Sequence, residues 1–444
     1  MTNNTTTTRT ATIRSNAALA PAAAPRQPRA ARAVLRLLGQ LRHGRLDLQL
    51  PDGSSLCLGP KVGTAVTATA TNAGASSAGA VARNPADHIH AVMRFNDWAA
   101  FQRVLRAGDI GLAEGYIAGE WDSPDLSALL SLLIGNREAL EQVVYGSWWG
   151  SLAYRLKHLL NRNSRRGSAK NIHAHYDLGN RFYAQWLDPS MSYSSAWFDG
   201  DFSQSMAQAQ QAKMRRALQE AGVGPGSRVL EIGCGWGSMA SMAAGEFGAH
   251  VTGVTLSTEQ LAWAQASLAQ AGQAPSTDLR LQDYRDLAAQ GQTYDAVVSI
   301  EMFEAVGHEY WDSYFQTLRD CLKPGGLACI QSITIRDDLF DRYRRSTDFI
   351  QQYIFPGGLL PSVGQFEALA KRHGFTVQRR LAFGTDYAKT LRRWRADFVR
   401  NESGVRALGF DTRFVRIWLF YLAYCEAAFE QGNTDVVQFT LRRD

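Results

Sequence analysis

Residues 228–237, RVLEIGCGWG, read as an apolar strand running into a glycine turn, with Ser238 onward continuing as a helix. Glycine lacks a Cβ, so such a turn can be tight and can bring the backbone close to a ligand. The same strand-then-helix rhythm spreads outward from this stretch. HVTGVTLS (250–257) is a second strand, with Thr258 to Ala271 as its helix, and LRLQDY (279–284), YDAVVSIEMF (294–303) and LACIQSITI (327–335) are further strands. A Lys323-Pro324-Gly325-Gly326 turn precedes the last of them. This βαβ alternation predicts a mostly parallel sheet covered by helices on both faces. Ligands of such sheets bind beyond the carboxyl ends of the strands.

The turn is spaced GxGxG, unlike the GxGxxG of dinucleotide folds. The second strand ends in Thr255-Leu256-Ser257, where a dinucleotide site would have an acid, and Gln260 is the nearest polar candidate. No second mononucleotide half follows. The ordered set resembles class I S-adenosylmethionine methyltransferases, with Glu231 ending the first strand, then Gly233, Gly235 and Gly237, then Asp283 after the third strand. That resemblance implies an α/β, Rossmann-like class I methyltransferase fold with a seven-stranded sheet. It also implies that Glu231 organises the methionine end, the glycines admit sulfonium and ribose, and Asp283 accepts from the adenine amine. Trp236 in the turn, Tyr284 beside Asp283 and Ile300 at the end of the fourth strand complete this group.

Longer motifs narrow the class. NIHAHYDLGNRFYAQWLDPSMSYSSAWF (171–198), MFEAVGHEYWDSYF (302–315), YIFPGGLLPS (353–362) and FGTDYAKTLRRW (383–394) resemble the cyclopropane-fatty-acyl-phospholipid synthase family, which includes the mycolic acid cyclopropane synthases. GDIGLAEGYIAGEWDSPDL (108–126) resembles the N-terminal domain of its long bacterial members. The resemblance implies methyl transfer from S-adenosylmethionine to a cis double bond of a phospholipid acyl chain. An alkene is a poor nucleophile, so the site must hold it in near-attack geometry and keep water from the resulting carbocation.

In that family a bicarbonate ion takes the final proton, held by a Glu, a Tyr, a His, a Cys and a backbone N–H. Position by position, the Glu falls on Glu304 and the Tyr on Tyr387. The cysteine position is Ser195, the histidine position is Gln331, and Ile333 supplies the N–H. A hydroxyl and an amide can still donate to an anion, but the ionisable imidazole is gone. The product therefore stays open between a cyclopropane and a methylene- or methyl-branched chain, and the lost residues raise a third reading, a lipid- or cofactor-binding pseudoenzyme. Tyr193 and Ser194 match positions that close over the methionine end of the cofactor. His175, Tyr176 and Asp177 either line the site or anchor the start of its domain.

The rest of the chain frames this site. Its 444 residues predict two or three domains. The net charge is +6, and residues 1–80 carry nine Lys or Arg against Asp47 and Asp52, so the basic end faces a nearly neutral body. That pattern suits an anionic surface. Five scattered cysteines without zinc spacing indicate a reducing cytoplasm. Residues 1–30 hold almost nothing large and apolar and predict a disordered tail. Residues 31–149 predict a small α+β domain for lipid binding or dimer formation, with a hairpin at Asp52-Gly53; 150–170 predict a basic linker; and 171–444 predict the catalytic domain. The helix from Ala31 either lies on anionic lipid through Val34, Leu37, Leu38 and Leu41 or packs on its own domain. Ile417 to Phe429, too short to span a bilayer, reads as a helix packed on the sheet, with Arg392, Arg393 and Arg395 as candidates for lipid phosphates. The chain carries no P-loop, metal motif, Ser-His-Asp set or nucleic-acid module. The expected partners are thus an unsaturated phospholipid, an anionic membrane surface at the cytoplasmic face and a second copy of the chain.

Overall fold

The N-terminal domain is built on a small sheet. β1 (Arg45–Gln49) turns inward at Leu46 and Leu48, and β2 (Ser55–Leu58) pairs antiparallel to it around Gly53, whose φ is 83°. β3 (His90–Phe95) pairs parallel to β1, and the short β4 (Trp121–Asp122) closes the order β2-β1-β3-β4. Three longer helices accompany it: α1 (Arg29–Leu38), α2 (Ala99–Ile117) and α3 (Leu126–Gly135). The basic amphipathic α1 buries Ala31, Val34 and Leu38 in the core of this domain and leaves Arg32 and Arg36 outside, so its apolar face is spent on its own fold. The computed structural model describes residues 27–60, 84–140 and 178–444. The boundary expected near residue 149, the basic segment 150–170 and the His175-Tyr176-Asp177 motif lie outside the described residues.

The larger sheet contains β5 (Arg228–Ile232), β6 (His250–Thr255), β7 (Thr277–Leu281), β8 (Tyr294–Ile300), β9 (Leu322–Ile335), β10 (Phe375–Ala382) and β11 (Thr434–Arg443). Their order is β10-β11-β9-β8-β5-β6-β7. Strands β5 to β9 run parallel, and β11 inserts antiparallel between β9 and β10. Along β8, Val297 enters one apolar cluster while Ala296 and Val298 enter another on the opposite face. That is how a sheet covered on both sides produces a continuous apolar strand. The chain moves outward from β5 in both directions, to β6 on one side and β8 on the other, and the crevice between their ends is where such sheets take ligands.

Further helices follow: α4 (Met206–Glu220), α5 (Ser238–Gly245), α6 (Thr258–Gln270), α7 (Trp311–Cys321), α8 (Asp337–Arg345), α9 (Val363–Arg372), α10 (Gly384–Arg400) and α11 (Thr412–Glu430). α11 packs on α10 and on α3, and its Phe420, Leu422 and Ala423 share one apolar cluster with Leu129 and Leu130. Catalytic and N-terminal parts therefore have a common core. The arginines expected at lipid phosphates are used within this packing. Arg392 Nε and Arg395 Nε each donate to the buried Glu426 carboxylate over 2.9 Å, and Arg393 donates to the carbonyls of Gln204 and Phe202. No helix among the described residues is long and apolar enough to cross a membrane.

Candidate active site

A cavity of about 180 Å³ opens at the carboxyl ends of β5 and β6. Glu231, Gly233, Gly235, Trp236, Thr255, Leu256, Gln260, Tyr284 and Ile300 line it, and Tyr193 and Ser194 close it from the loop before α4. At Gly233 the φ is 88°, and a Cβ would come within 3.0 Å of the Met302 side chain. Glu231 is buried at the end of β5, and its Oε2 has no hydrogen-bond partner. Burial pushes this carboxyl up to about 8, against the pull of the Lys213 charge. A buried, half-satisfied carboxyl group beside a glycine turn fits the amine-bearing end of S-adenosylmethionine, whose positive charge would favour its ionised form.

Three expected cofactor residues stand back from this cavity. Gly237 is the left-handed N-cap of α5, and a Cβ there would meet Ala264 at 2.8 Å. Ser257 caps α6, its hydroxyl accepting from the Gln260 N–H over 3.2 Å. The Asp283 carboxylate accepts from Arg285 Nε at 2.9 Å and from the guanidinium again at 2.5 Å, so it is held by a neighbour two residues away. Gln282, which the sequence reading did not single out, faces the cavity instead, with its buried Nε2 unpartnered. In LRLQDY it is the residue one step before the expected acid and the first beyond the end of β7.

A second cavity, about 190 Å³ and mainly apolar, lies between α10, α11 and the segment 350–360, whose first residues belong to the short helix Phe349–Tyr353. Phe355, Leu391, Tyr421 and Phe429 are among its walls, and the Tyr193 and Tyr421 hydroxyls are 2.7 Å apart. The two cavities share Tyr193, Glu301 and Ala305.

Glu301, at this junction, is a further residue that the sequence reading did not single out. Its Oε1 accepts from the backbone N–H of Ser195 at 2.8 Å and from Gln331 Nε2 at 2.7 Å, and its Oε2 accepts from the Tyr387 hydroxyl at 2.7 Å. Gln331 is in turn oriented by Gln438 Nε2, which donates to its Oε1 at 2.9 Å. Glu301 also adopts a φ of 50°, rare for a residue with a side chain. Such backbone costs about 1–3 kcal/mol and tends to persist at functional sites.

The structure thus gathers Ser195, Gln331 and Tyr387 as expected, but around a side chain. Two donors also differ from the expectation. The Ser195 hydroxyl donates to the Ala196 carbonyl at 2.9 Å, so its backbone and not its side chain faces the anion. The Ile333 N–H donates to Glu304 Oε1 at 2.6 Å. A free bicarbonate would therefore find its expected donors engaged and a carboxylate in its place.

The two acids differ in support. Glu304 is buried with Oε2 unpartnered, and burial together with the Glu301 charge pushes it up to about 8. Burial raises Glu301 as well, but the Lys213 charge and the donors from Tyr387, Ser195 and Gln331 oppose this. Lys213 is buried too, its Nζ donating to Ser194 Oγ at 2.6 Å, and burial lowers it to about 8 while Glu301, Asp188 and Glu231 favour its charge. The Lys213 charge and the three donors thus favour the ionised form of Glu301, whereas burial and the Glu301 charge disfavour that of Glu304.

Comparison with known proteins finds relatives over most of the chain. The family model described as mycolic acid cyclopropane synthetase matches residues 163–439. Tuberculostearic acid methyltransferase UfaA1 of Mycobacterium tuberculosis is 41% identical over 355 residues, covering 78% of this chain and 82% of that protein. Cyclopropane-fatty-acyl-phospholipid synthase of Escherichia coli is 35% identical over 345 residues, covering 77% and 85%. The crystal structure of mycolic acid cyclopropane synthase CmaA1 with SAH and CTAB matches with a TM-score of 0.58 at 33% identity, covering 62% of this chain and 98% of that one.

Proposed function

The chain belongs to the mycolic acid cyclopropane synthetase family, and on that premise we propose that it transfers a methyl group from S-adenosylmethionine to a cis double bond in a phospholipid acyl chain, at the cytoplasmic face of a membrane. The observation that carries this reading is the meeting of a polar, glycine-lined cavity and an apolar one at Tyr193, Glu301 and Ala305. Bound in the first, S-adenosylmethionine supplies an electrophilic methyl group to whatever the second presents.

The residues around that junction have distinct tasks. Glu231 and Gln282 offer polar atoms to the cofactor, and the glycine turn lets it approach the backbone. Tyr193, Phe355, Tyr421 and Phe429 exclude water and present aromatic faces, which stabilise a nearby cation. The apolar space continues into a further cavity of about 160 Å³ beneath the N-terminal domain, which shares Tyr343, Leu360, Tyr424 and Ala428 with the apolar cavity at the junction. That extension supports a long acyl tail as the occupant, with the N-terminal domain forming part of its sheath. A role for this domain in dimer formation and in contact with an anionic surface is part of the same proposal.

Loss of a proton from the added methyl yields either a cyclopropane or an exocyclic methylene. The relative named tuberculostearic acid methyltransferase favours keeping the second product in view. The test is incubation of purified protein with methyl-labelled S-adenosylmethionine and vesicles of a monounsaturated phospholipid. Label in the acyl chain is expected, and proton NMR separates the ring, with its upfield methylene protons, from the alkene. Cofactor binding without any label in lipid would instead favour the pseudoenzyme.

A further inference from the structure

We propose that Glu301 is the catalytic base, a carboxylate of the protein itself standing where the family resemblance implies a bicarbonate ion. The inference rests on the alkene-methyltransferase reading above and deepens it. Bicarbonate and a carboxylate are both planar oxyanions that accept hydrogen bonds through two oxygens. The Tyr387 hydroxyl and the Gln331 amide, two of the groups expected to hold the ion, converge on Glu301 at 2.7 Å each, and the backbone N–H of Ser195 joins them as a third donor at 2.8 Å. A fourth, the Ile333 N–H, is spent on Glu304. A second anion would also sit beside a buried charge, which the desolvated surroundings would make costly. Of the residues shared by the two cavities, Glu301 is the one with a basic group, so it faces the place where methyl donor and alkene meet.

The step balances without an outside base. Attack by the alkene's π pair on the methyl carbon forms a C–C bond, breaks the methyl–sulfur bond and leaves a carbocation on the neighbouring carbon. A C–H bond of the new methyl then breaks. Its electron pair closes the ring, or forms the exocyclic C=C after the cation has moved to the methyl-bearing carbon by a hydride shift, and its proton goes to the Glu301 carboxylate. The resulting carboxylic acid releases that proton to solvent once the products leave. Glu301 is thereby restored, and one proton is released per turnover. The φ of 50° at this residue fits the role, since the backbone that best tolerates it belongs to glycine and the chain nonetheless carries an acid there.

The experiment compares the wild type with Glu301→Gln and Glu301→Gly in buffer purged of carbon dioxide and in buffer with added bicarbonate. It reads label transfer to monounsaturated phospholipid, with circular dichroism to verify folding. In parallel, the three proteins are titrated with ¹³C-bicarbonate and followed by NMR. Wild-type turnover should be indifferent to bicarbonate, and Glu301→Gln should lose on the order of 10²–10⁴-fold under both conditions. Glu301→Gly, which opens the anion's space, should show the same loss in purged buffer, partial recovery with bicarbonate and a bound ¹³C signal absent from the wild type. Wild-type dependence on bicarbonate, a bound ¹³C signal in the wild type, or near-normal turnover by Glu301→Gln would each overturn the assignment. If the wild type labels no unsaturated lipid, the methyltransferase reading fails, while the ¹³C titration still decides whether Glu301 or an ion fills the site.

Discussion

Tyr387 donates its phenolic hydrogen to Glu301 Oε2 over 2.7 Å, which ties α10 to the end of β8 at the wall shared by the two cavities. The donor favours the ionised carboxylate, and the carboxylate in turn holds the phenol protonated, its titration raised by burial and by the adjacent charge.

Tyr387→Phe tests this coupling. With one donor gone, Glu301 should titrate higher, so the acid limb of the kcat profile should move to higher pH. Turnover at neutral pH should fall by about 10-fold to 100-fold, since a positioned hydrogen bond to a charge is worth about 1.5–3 kcal/mol. S-adenosylhomocysteine affinity, read by calorimetry, should change little. An unchanged acid limb would remove Tyr387 from the tuning of the base.

Glu304 makes a prediction about stability. Its folded value of about 8 lies above the unfolded value near 4.3. Between them the folded state keeps a proton that the unfolded chain has released, so stability falls as pH rises. The contribution is whole below the lower value and lost above the upper one. Glutamine has no such proton to lose. Thermal melts of Glu304→Gln and wild type should therefore be close at pH 5 and should separate toward pH 8.5, with the variant the more stable by up to a few kcal/mol. A constant gap across this range would mean that Glu304 is not protonated in the folded protein.

Ala428 lines both apolar cavities. Ala428→Phe should obstruct the passage between them without touching Glu301 or the glycine turn. The expected result is a selective loss: KM should rise several-fold for long acyl chains and much less for chains that end before the passage. Competition between phospholipids of different chain length would measure it. Equal loss on all chains would place the tail elsewhere.

The sheet was legible because its determinants are local. RVLEIGCGWG and the four strands after it show their apolar runs within a few residues, and all five strands form, although β7 runs Thr277–Leu281 and β9 begins at Leu322, taking in the turn expected at Lys323-Pro324-Gly325-Gly326. The antiparallel pair β10 and β11 was not read, since FTVQRRLA and TDVVQFTLRR derive their strand character from pairing with each other and with β9. The site shows the same division. Glu301 is chemically plain in the sequence, three residues before Glu304, and what makes it a base is convergence from afar. Its partners lie 106 residues before it and 30 and 86 residues after it. Spacing cannot show such a cluster. Nor could it show that the Ser195 hydroxyl turns to a carbonyl, or that Arg392 and Arg395 grip Glu426 from the next long helix.

The central claim is that a methyl group reaches an alkene carbon and then loses one of its own hydrogens within the pocket. Incubation with donor carrying a fully deuterated methyl group, followed by mass spectrometry of the lipid, reads this directly. The account predicts that two deuterium atoms are retained in each modified acyl chain, for ring and methylene alike. Retention of all three would mean that no base removes a proton from the transferred carbon, and would contradict it.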